Sequence, residues 1–326
     1  MKIRLTAFAA CTFCLAPALA LAQPAPASAD VSLINWHVTP RLSVSGGVGY
    51  LSGTAKEFVY DPSSGSKLSE LDWQLNNAAI VKGAADLALT DWFSFSLSGW
   101  TAIGSDSVLD DYDWLVPSTT QWSDHSHHPD TRLRSATQTT LGVALRLYHA
   151  HDVSLSAVAG YQWTQFKWRA YGGSYVYTTT TFRDTIGSFT PGQLVGTYSQ
   201  HYQTPFLGIA GTYDLNSDWQ LSAALKGSPW GVSGSDLDNH ALRSTIFTES
   251  TSKSRFLSVS IAAAYAFNER TQLAGTIDYQ SYSQGKASSS ALDQTTGTTS
   301  YTPGNAAGLG NDALTAGISL RYSFGP

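Results

Sequence analysis

The eleven residues before the terminal pair alternate with period two. Leu314, Ala316, Ile318, Leu320, Tyr322 and Phe324 fall on one face, and Thr315, Gly317, Ser319, Arg321 and Ser323 on the other. Such alternation places every second side chain of an extended strand on an apolar wall. The pattern recurs. Phe93, Phe95 and Leu97 alternate with Ser94, Ser96 and Ser98; Leu141, Val143, Leu145 and Leu147 alternate with Gly142, Ala144, Arg146 and Tyr148. Leu257, Val259, Ile261, Ala263, Tyr265 and Phe267 form another apolar face. Small residues and arginines opposite these faces suit the interior of a barrel with polar contents. A β-sandwich would also alternate, with shorter strands and more even loops.

The connections distinguish the two. Tight turns are expected at Thr90–Asp91, His149–Asp152, Leu215–Asp218 and Phe267–Thr271. Between them lie long connections, roughly Gly53–Leu71, Gly104–Arg132, Tyr171–Leu194, Ser228–Ser254 and Ser281–Gly308. Short turns at one end and long loops at the other are the signature of an outer-membrane barrel, with short periplasmic turns and long extracellular loops. Four tight turns and five long connections predict an all-β, ten-stranded antiparallel transmembrane β-barrel. Trp92 and Trp219, each following an Asp just after a tight turn, read as part of an aromatic girdle at the membrane interface. The chain closes Tyr322-Ser323-Phe324, a terminal aromatic usual for barrel assembly, with Gly325-Pro326 beyond it.

Composition adds the compartment. Lys2 and Arg4, an apolar run to about Leu21 and small residues at Ala18, Ala20 and Ala22 predict a secretory signal peptide over residues 1–22. The barrel domain then occupies 23–326, without linker or internal repeat. Both cysteines, Cys11 and Cys14, lie in the leader, so the remaining chain has neither disulfide nor thiolate chemistry. Without Lys2 and Arg4 the formal charge moves from -5 to -7, which argues against nucleic acid and favours a cationic partner. Charged residues are only 13%, mean hydropathy is slightly negative, and no stretch after the leader reaches the roughly 20 apolar residues of a membrane helix.

The candidate chemistry sits in the long connections, which carry Glu57, Asp61, Asp106, Asp110, Asp111, Asp113, Asp124, Asp130, Asp236 and Asp238. Most single acids there read as solvated surface. Two pairs stand out. Asp111 and Asp113 stand at i and i+2, as do Asp238 and His240. If these segments extend the strands, each pair shares one face. Asp238 would then orient His240 and favour its protonated ring. In its neutral form the ring could take a proton from a water attacking a carbonyl. Spacing alone leaves other readings open: a calcium loop at Asp110, Asp111 and Asp113, or a transition-metal site at His125, His127 and His128 lacking a clear further ligand. A serine hydrolase is a further option, although no Gly-x-Ser-x-Gly elbow marks a nucleophile.

Over nearly all of the chain after the leader the sequence resembles the omptins. The resemblance runs through Ser52-Gly53, Lys56-Glu57 and Val59-Tyr60, Leu71-Asp72-Trp73 with Asn76 to Ile80, and Gly99-Trp100-Thr101. It continues through Asp111 to Trp114, Trp122-Ser123-Asp124, His128 to Thr131, Ala159 to Gln162, Gly172 to Tyr175, Phe182-Arg183-Asp184, Ile186 to Phe189, and Asp236 to His240. Omptins are outer-membrane endopeptidases that cut near basic residues. The resemblance implies a water-activating dyad of Asp238 and His240 facing an aspartate pair, Asp111 and Asp113. It implies that Glu57 and Asp236 line the pocket for the basic residue before the cut, and that Asp124 receives the basic residue after it. It implies no covalent acyl-enzyme, no metal and no cofactor, with lipopolysaccharide as an activator. Lipid contacts on the outer wall would fall to Tyr161 and His201; Trp163, Gln165 and His201 depart from the family pattern there, and Ser228-Pro229-Trp230 replaces a Ser-Gly-Trp. The expected partners are cationic peptides or proteins and outer-membrane lipids. The expected place is the bacterial outer membrane with the site facing outward. The competing readings are a non-catalytic barrel, an adhesin or narrow channel, and a lipid-A-modifying enzyme.

Overall fold

The computed structural model describes residues 41–324, so the expected leader and Gly325-Pro326 lie outside the described residues. The strands in chain order are β1 (Arg41–Tyr60), β2 (Lys67–Ala88), β3 (Phe93–Asp113), β4 (Asp124–Ala150), β5 (Val153–Tyr171), β6 (Ser174–Tyr177) and β7 (Thr185–Ser188). They are followed by β8 (Leu194–Asp214), β9 (Trp219–His240), β10 (Thr245–Ala266), β11 (Thr271–Asp293) and β12 (Thr299–Phe324). Ten long strands run in the order β3-β2-β1-β12-β11-β10-β9-β8-β5-β4, and a β3–β4 ladder closes the ring. Every pairing is antiparallel. The short β6–β7 hairpin is an addition to the ten, hung on β4 by pairing with His125–His127. Closure leaves no long edge unpaired, which is what a sheet crossing lipid requires.

The period-two faces fall as the sequence predicts. Leu314, Ile318, Leu320, Tyr322 and Phe324 are exposed on the outer wall, while Thr315, Ser319, Arg321 and Ser323 are buried inside. Leu257, Val259 and Ile261, and Leu221 and Leu225, continue that outer apolar belt around the ring. Trp92, Trp219 and Phe267 are exposed at its tight-turn margin, consistent with an aromatic girdle. Side-chain caps make those turns tight. The Asn216 carbonyl accepts from the Asp218 and Trp219 amides, Asn268 does the same for Arg270 and Thr271, and the Thr90 hydroxyl accepts from Trp92 and Phe93.

The long connections differ from expectation in kind. They are mostly strand: β1 and β2 continue to Tyr60 and from Lys67, β9 and β10 to His240 and from Thr245, β11 and β12 to Asp293 and from Thr299. Their tips are compact turns. In Asp61-Pro-Ser-Ser-Gly65 and Asp293-Gln-Thr-Thr-Gly297 the aspartate carboxylate accepts two backbone amides and the glycine takes positive φ, 74° and 71°. A polar strand outside the membrane has no apolar alternation to announce it, because water faces its outer side. Cross-strand hydrogen bonding extends the ladder all the same.

The interior is graded. The belt region is filled with polar side chains that satisfy one another, such as Gln162 donating to Gln280 and Tyr282 at 2.9 Å, and Lys82 donating to Thr276 at 2.8 Å. Above it lies an aromatic layer of Trp73, Trp100, Phe166, Trp168 and Tyr198. Trp73 stacks on Tyr198 at 5.1 Å and on the tilted Trp168 at 6.1 Å. This layer is the floor on which the acidic residues of the extended end stand.

Candidate active site

The last inward positions of β9 are Asp236, Asp238 and His240, and Leu237 between them points outward. Alternation alone therefore sets three functional side chains in a column along one strand face. His240 and Asp238 meet at 2.7 Å, Nε2 to Oδ2, as an ion pair rather than a well-aligned hydrogen bond. Asp238 is buried, and the His240 ring is held from the side by Phe247 in an edge-on contact at 5.5 Å. Burial works most strongly against a charged His240, but the charge of Asp238, contact with its carboxylate and the charge of Asp111 together outweigh it and raise the ring above its ordinary 6.5.

Asp111 and Asp113 lie at the end of β3, two residues apart, and both line the cleft. The Ser69 hydroxyl donates to Asp111 at 3.3 Å. Burial and then the Asp113 charge push Asp111 up to about 7, against the attraction of His240 and Arg243. Asp113 is raised as well, chiefly by burial.

These two strand ends, far apart in the chain, line one opening. A cleft of about 460 Å³ is bounded by Asp111, Asp113 and His240 together with Glu57, Ser69, Arg243, Phe247 and Glu249. A smaller recess of about 60 Å³ shares Asp111, His240 and Arg243 with it, and Asp238, Trp73 and His128 complete its wall. A liquid water takes up roughly 30 Å³, so this recess has room for one or two waters. A larger apolar hollow of about 990 Å³, lined by residues such as Leu221, Ile261 and Ile277, has no carboxylate, imidazole or amine in its wall.

The acids beside the dyad are buried without compensation. Glu57 on β1 is 2% exposed and Asp236 on β9 is 3% exposed. Asp236 accepts a hydrogen bond from Tyr198 at 2.9 Å, but its other oxygen has no partner, and one Glu57 oxygen is likewise orphaned. Burial, and secondarily neighbouring carboxylates, lift Asp236 to about 8 and Glu57 well above its usual value.

The remaining expected residues lie elsewhere. Asp124 pairs with Asp113 across the β3–β4 register, yet its oxygens are engaged by the Ser123 hydroxyl at 2.6 Å and the Thr178 amide at 2.9 Å. It braces that wall and does not line the cleft. The histidine cluster splits between two faces. His125 and His127 share Asp110 on the outer side, at 3.1 and 2.8 Å. His128 is buried inside, donating from Nδ1 to the Gly172 carbonyl at 2.5 Å and accepting from Ser126 at 2.9 Å. Both its nitrogens are used, and among the described residues no group of three His, Cys, Asp or Glu is disposed to hold a metal ion. Tyr161 and His201 lie outside the cleft on the β5–β8 wall, bonded to Gln203 at 3.2 Å and Gln165 at 3.0 Å.

Ser69, Arg243, Phe247 and Glu249 are among the cleft residues that the sequence pattern did not single out. Glu249 was reachable. A four-residue turn between His240 and Thr245 fixes the register, and counting back along it sets Glu249 opposite Asp236. Ser69 and Arg243 carried no such signal.

A closed antiparallel barrel with an apolar outer belt and an acid-lined cleft at one end has the architecture of an outer-membrane β-barrel protein. Comparison with known proteins narrows this. Residues 38–324 match the model of the Omptin family, and the chain belongs to that family. It is 35% identical over 300 residues to the plasminogen activator of Yersinia pestis, covering 91% of this chain and 95% of that protein. To the outer membrane protease OmpP of Escherichia coli strain K12 it is 33% identical over 312 residues, covering 94% and 98%. The crystal structure of outer membrane protease OmpT from Escherichia coli superposes with a TM-score of 0.83 at 32% identity, covering 87% of this chain and 97% of that one. The chain is therefore an outer-membrane peptidase of the bacterial envelope.

Proposed function

We propose that this peptidase is an endopeptidase that cuts polypeptides at basic residues with a water activated by Asp238 and His240. The observation that carries the reading is the shared opening: Asp111 and Asp113 from one strand end and His240 from another line a single cleft over a recess with room for water. Nε2 of His240 is turned to Asp238, which leaves Nδ1 to take the proton of the water. The oxygen of that water attacks the scissile carbonyl carbon. Asp111 and Asp113 hold the water from the opposite side, and their proximity favours a proton shared between them. The proton on His240 then passes to the departing amine, so no acyl-enzyme forms and no metal or cofactor takes part.

Glu57 and Asp236 supply the preference. Their orphaned oxygens are acceptors awaiting a cation, and an arginine or lysine side chain entering the pocket provides one. The charge of Asp124, behind Asp113, acts on a basic residue following the cut. The extended hairpins carrying the cleft face the cell exterior, since short turns face the periplasm in barrels of this kind. Tyr161 and His201, on the outer wall, are the proposed contacts for lipopolysaccharide, which acts as activator.

The test is a quenched peptide with an Arg-Arg or Arg-Lys centre, offered to refolded protein with and without lipopolysaccharide. Cleavage next to the basic residue is expected. Absence of cleavage in both conditions would leave a non-catalytic barrel presenting acidic hairpins.

A further inference from the structure

Glu249 is the buried acid of the cleft that the mechanism above does not use. It sits on the inner face of β10, directly across the ladder from Asp236, and is 2% exposed. Like charges directly opposite one another weaken a sheet, and a buried carboxylate without a partner is costly to fold. Both penalties fall on the ionised forms of this pair. Oε2 of Glu249, Oε2 of Glu57 and Oδ1 of Asp236 are all buried without a hydrogen-bond partner. Among the described residues no lysine or arginine forms an ion pair with any of the three. Glu57 and Glu249 line the same cleft from strands separated by β12 and β11 in the ring, close enough that the Glu249 charge acts on Glu57.

We propose that Glu249 is a specificity-determining residue, the third carboxylate of the pocket that receives the basic side chain of the substrate. The assignment rests on the reading of Glu57 and Asp236 as that pocket. A guanidinium fits the arrangement because its planar fork presents donors on several sides at once, and can meet acceptors on separate strands together.

A consequence follows for protons. Burial first, and then the charge of Asp236, lift Glu249 to about 9, while the Ser289 hydroxyl on β11 works in the opposite direction. The titratable groups around it are Asp236 and Asp238 on β9 and Glu57 on β1. At neutral pH the empty pocket therefore holds protons, and an entering cation displaces them. Cation binding that releases protons tightens as pH rises toward the values of the empty pocket.

The experiment compares wild type, Glu249→Gln and Glu249→Asp in lipopolysaccharide-containing micelles between pH 6 and 9. The substrates are two peptides differing only in arginine or citrulline before the cut. Wild type is expected to prefer arginine, with a KM that falls as pH rises. Glu249→Gln is expected to raise KM for the arginine peptide about tenfold, the scale of one charge-assisted hydrogen bond, with a smaller change in kcat and a flatter KM profile. Glu249→Asp, which keeps the charge, should recover part of the loss, and heat-modifiability on gels checks that each barrel is folded. If wild type prefers arginine and folded Glu249→Gln keeps both the preference and the pH slope, the assignment of Glu249 is overturned and the two-acid pocket stands. If wild type cleaves arginine and citrulline peptides alike, the basic pocket itself falls, and Glu249 with it.

Discussion

His240 and Asp238 stand two residues apart on one face of β9, their side chains 2.7 Å apart, at the point where that strand has left the apolar belt. The pair is thus built on a paired strand rather than on a loose loop. A ladder on either side, to β8 and to β10, fixes the backbone beneath it. Rigid placement of this kind is what a water-activating base needs.

Removing the base should stop turnover without unfolding the barrel. His240→Ala is expected to lower kcat by about 10²- to 10⁴-fold, the usual contribution of a general base, because the ring contributes little to the core. Asp238→Asn should lose activity too, since the ring then loses its orienting charge. Peptide cleavage assays beside heat-modifiability gels check both, and an active His240→Ala would remove the ring from the mechanism.

Arg243 couples to the pH profile. His240 is raised above 6.5, so kcat/KM should climb with pH as the ring gives up its proton, through a midpoint above that value. The Arg243 charge lowers both His240 and Asp111. Arg243→Gln should therefore move the rising limb to higher pH. A rising limb that stays in place, or shifts to lower pH, would disconnect Arg243 from the pair.

The specificity pocket predicts an opposite response to pH in stability. Glu249 and Asp236 are lifted from 4.5 and 3.8 to about 9 and about 8 in the folded protein. An acid that holds its proton more tightly when folded makes the unfolded state the weaker proton binder, so stability falls as pH rises from about 4 to about 9. Glu57→Gln combined with Asp236→Asn should raise the thermal midpoint at pH 9 more than at pH 5, while erasing the preference for basic residues. A midpoint shift equal at both pH values would place the cost elsewhere.

His128 serves as a neutral brace. Burial lowers its basicity, and its two nitrogens join the Gly172 carbonyl to Ser126. His128→Ala leaves those groups unsatisfied and should destabilise the extended end by about 1–3 kcal/mol, seen as faster proteolysis around Gly172. Because His125 and His127 face the other side with Asp110, zinc should not reverse any inhibition by a chelator. Restored activity on adding zinc alone would contradict this.

Period-two alternation made the belt strands legible, and the ten-strand count held because three of the four tight turns carry side-chain caps that the residue types announce. The extended hairpins were less visible. Their outer faces meet water, so Lys56, Glu70 and Asp110 stand where an apolar residue would have marked a strand. Asp61 with Gly65 and Asp293 with Gly297 did encode the tips, in residues that cap a backbone turn and tolerate positive φ.

What the sequence determined by itself is local. Alternation assigned Asp111 with Asp113, and Asp238 with His240, to common strand faces, and the likeness to the omptins assigned them roles. The tertiary structure alone decided which of these columns share an opening, because ring closure brings β1, β3, β9 and β10 around one lumen across sequence gaps that no periodicity spans. It also decided that Asp124 is occupied, that the three histidines divide between faces, and that Glu249 stands against Asp236. Each of those depends on register between strands, and register is a property of pairs of segments rather than of either one.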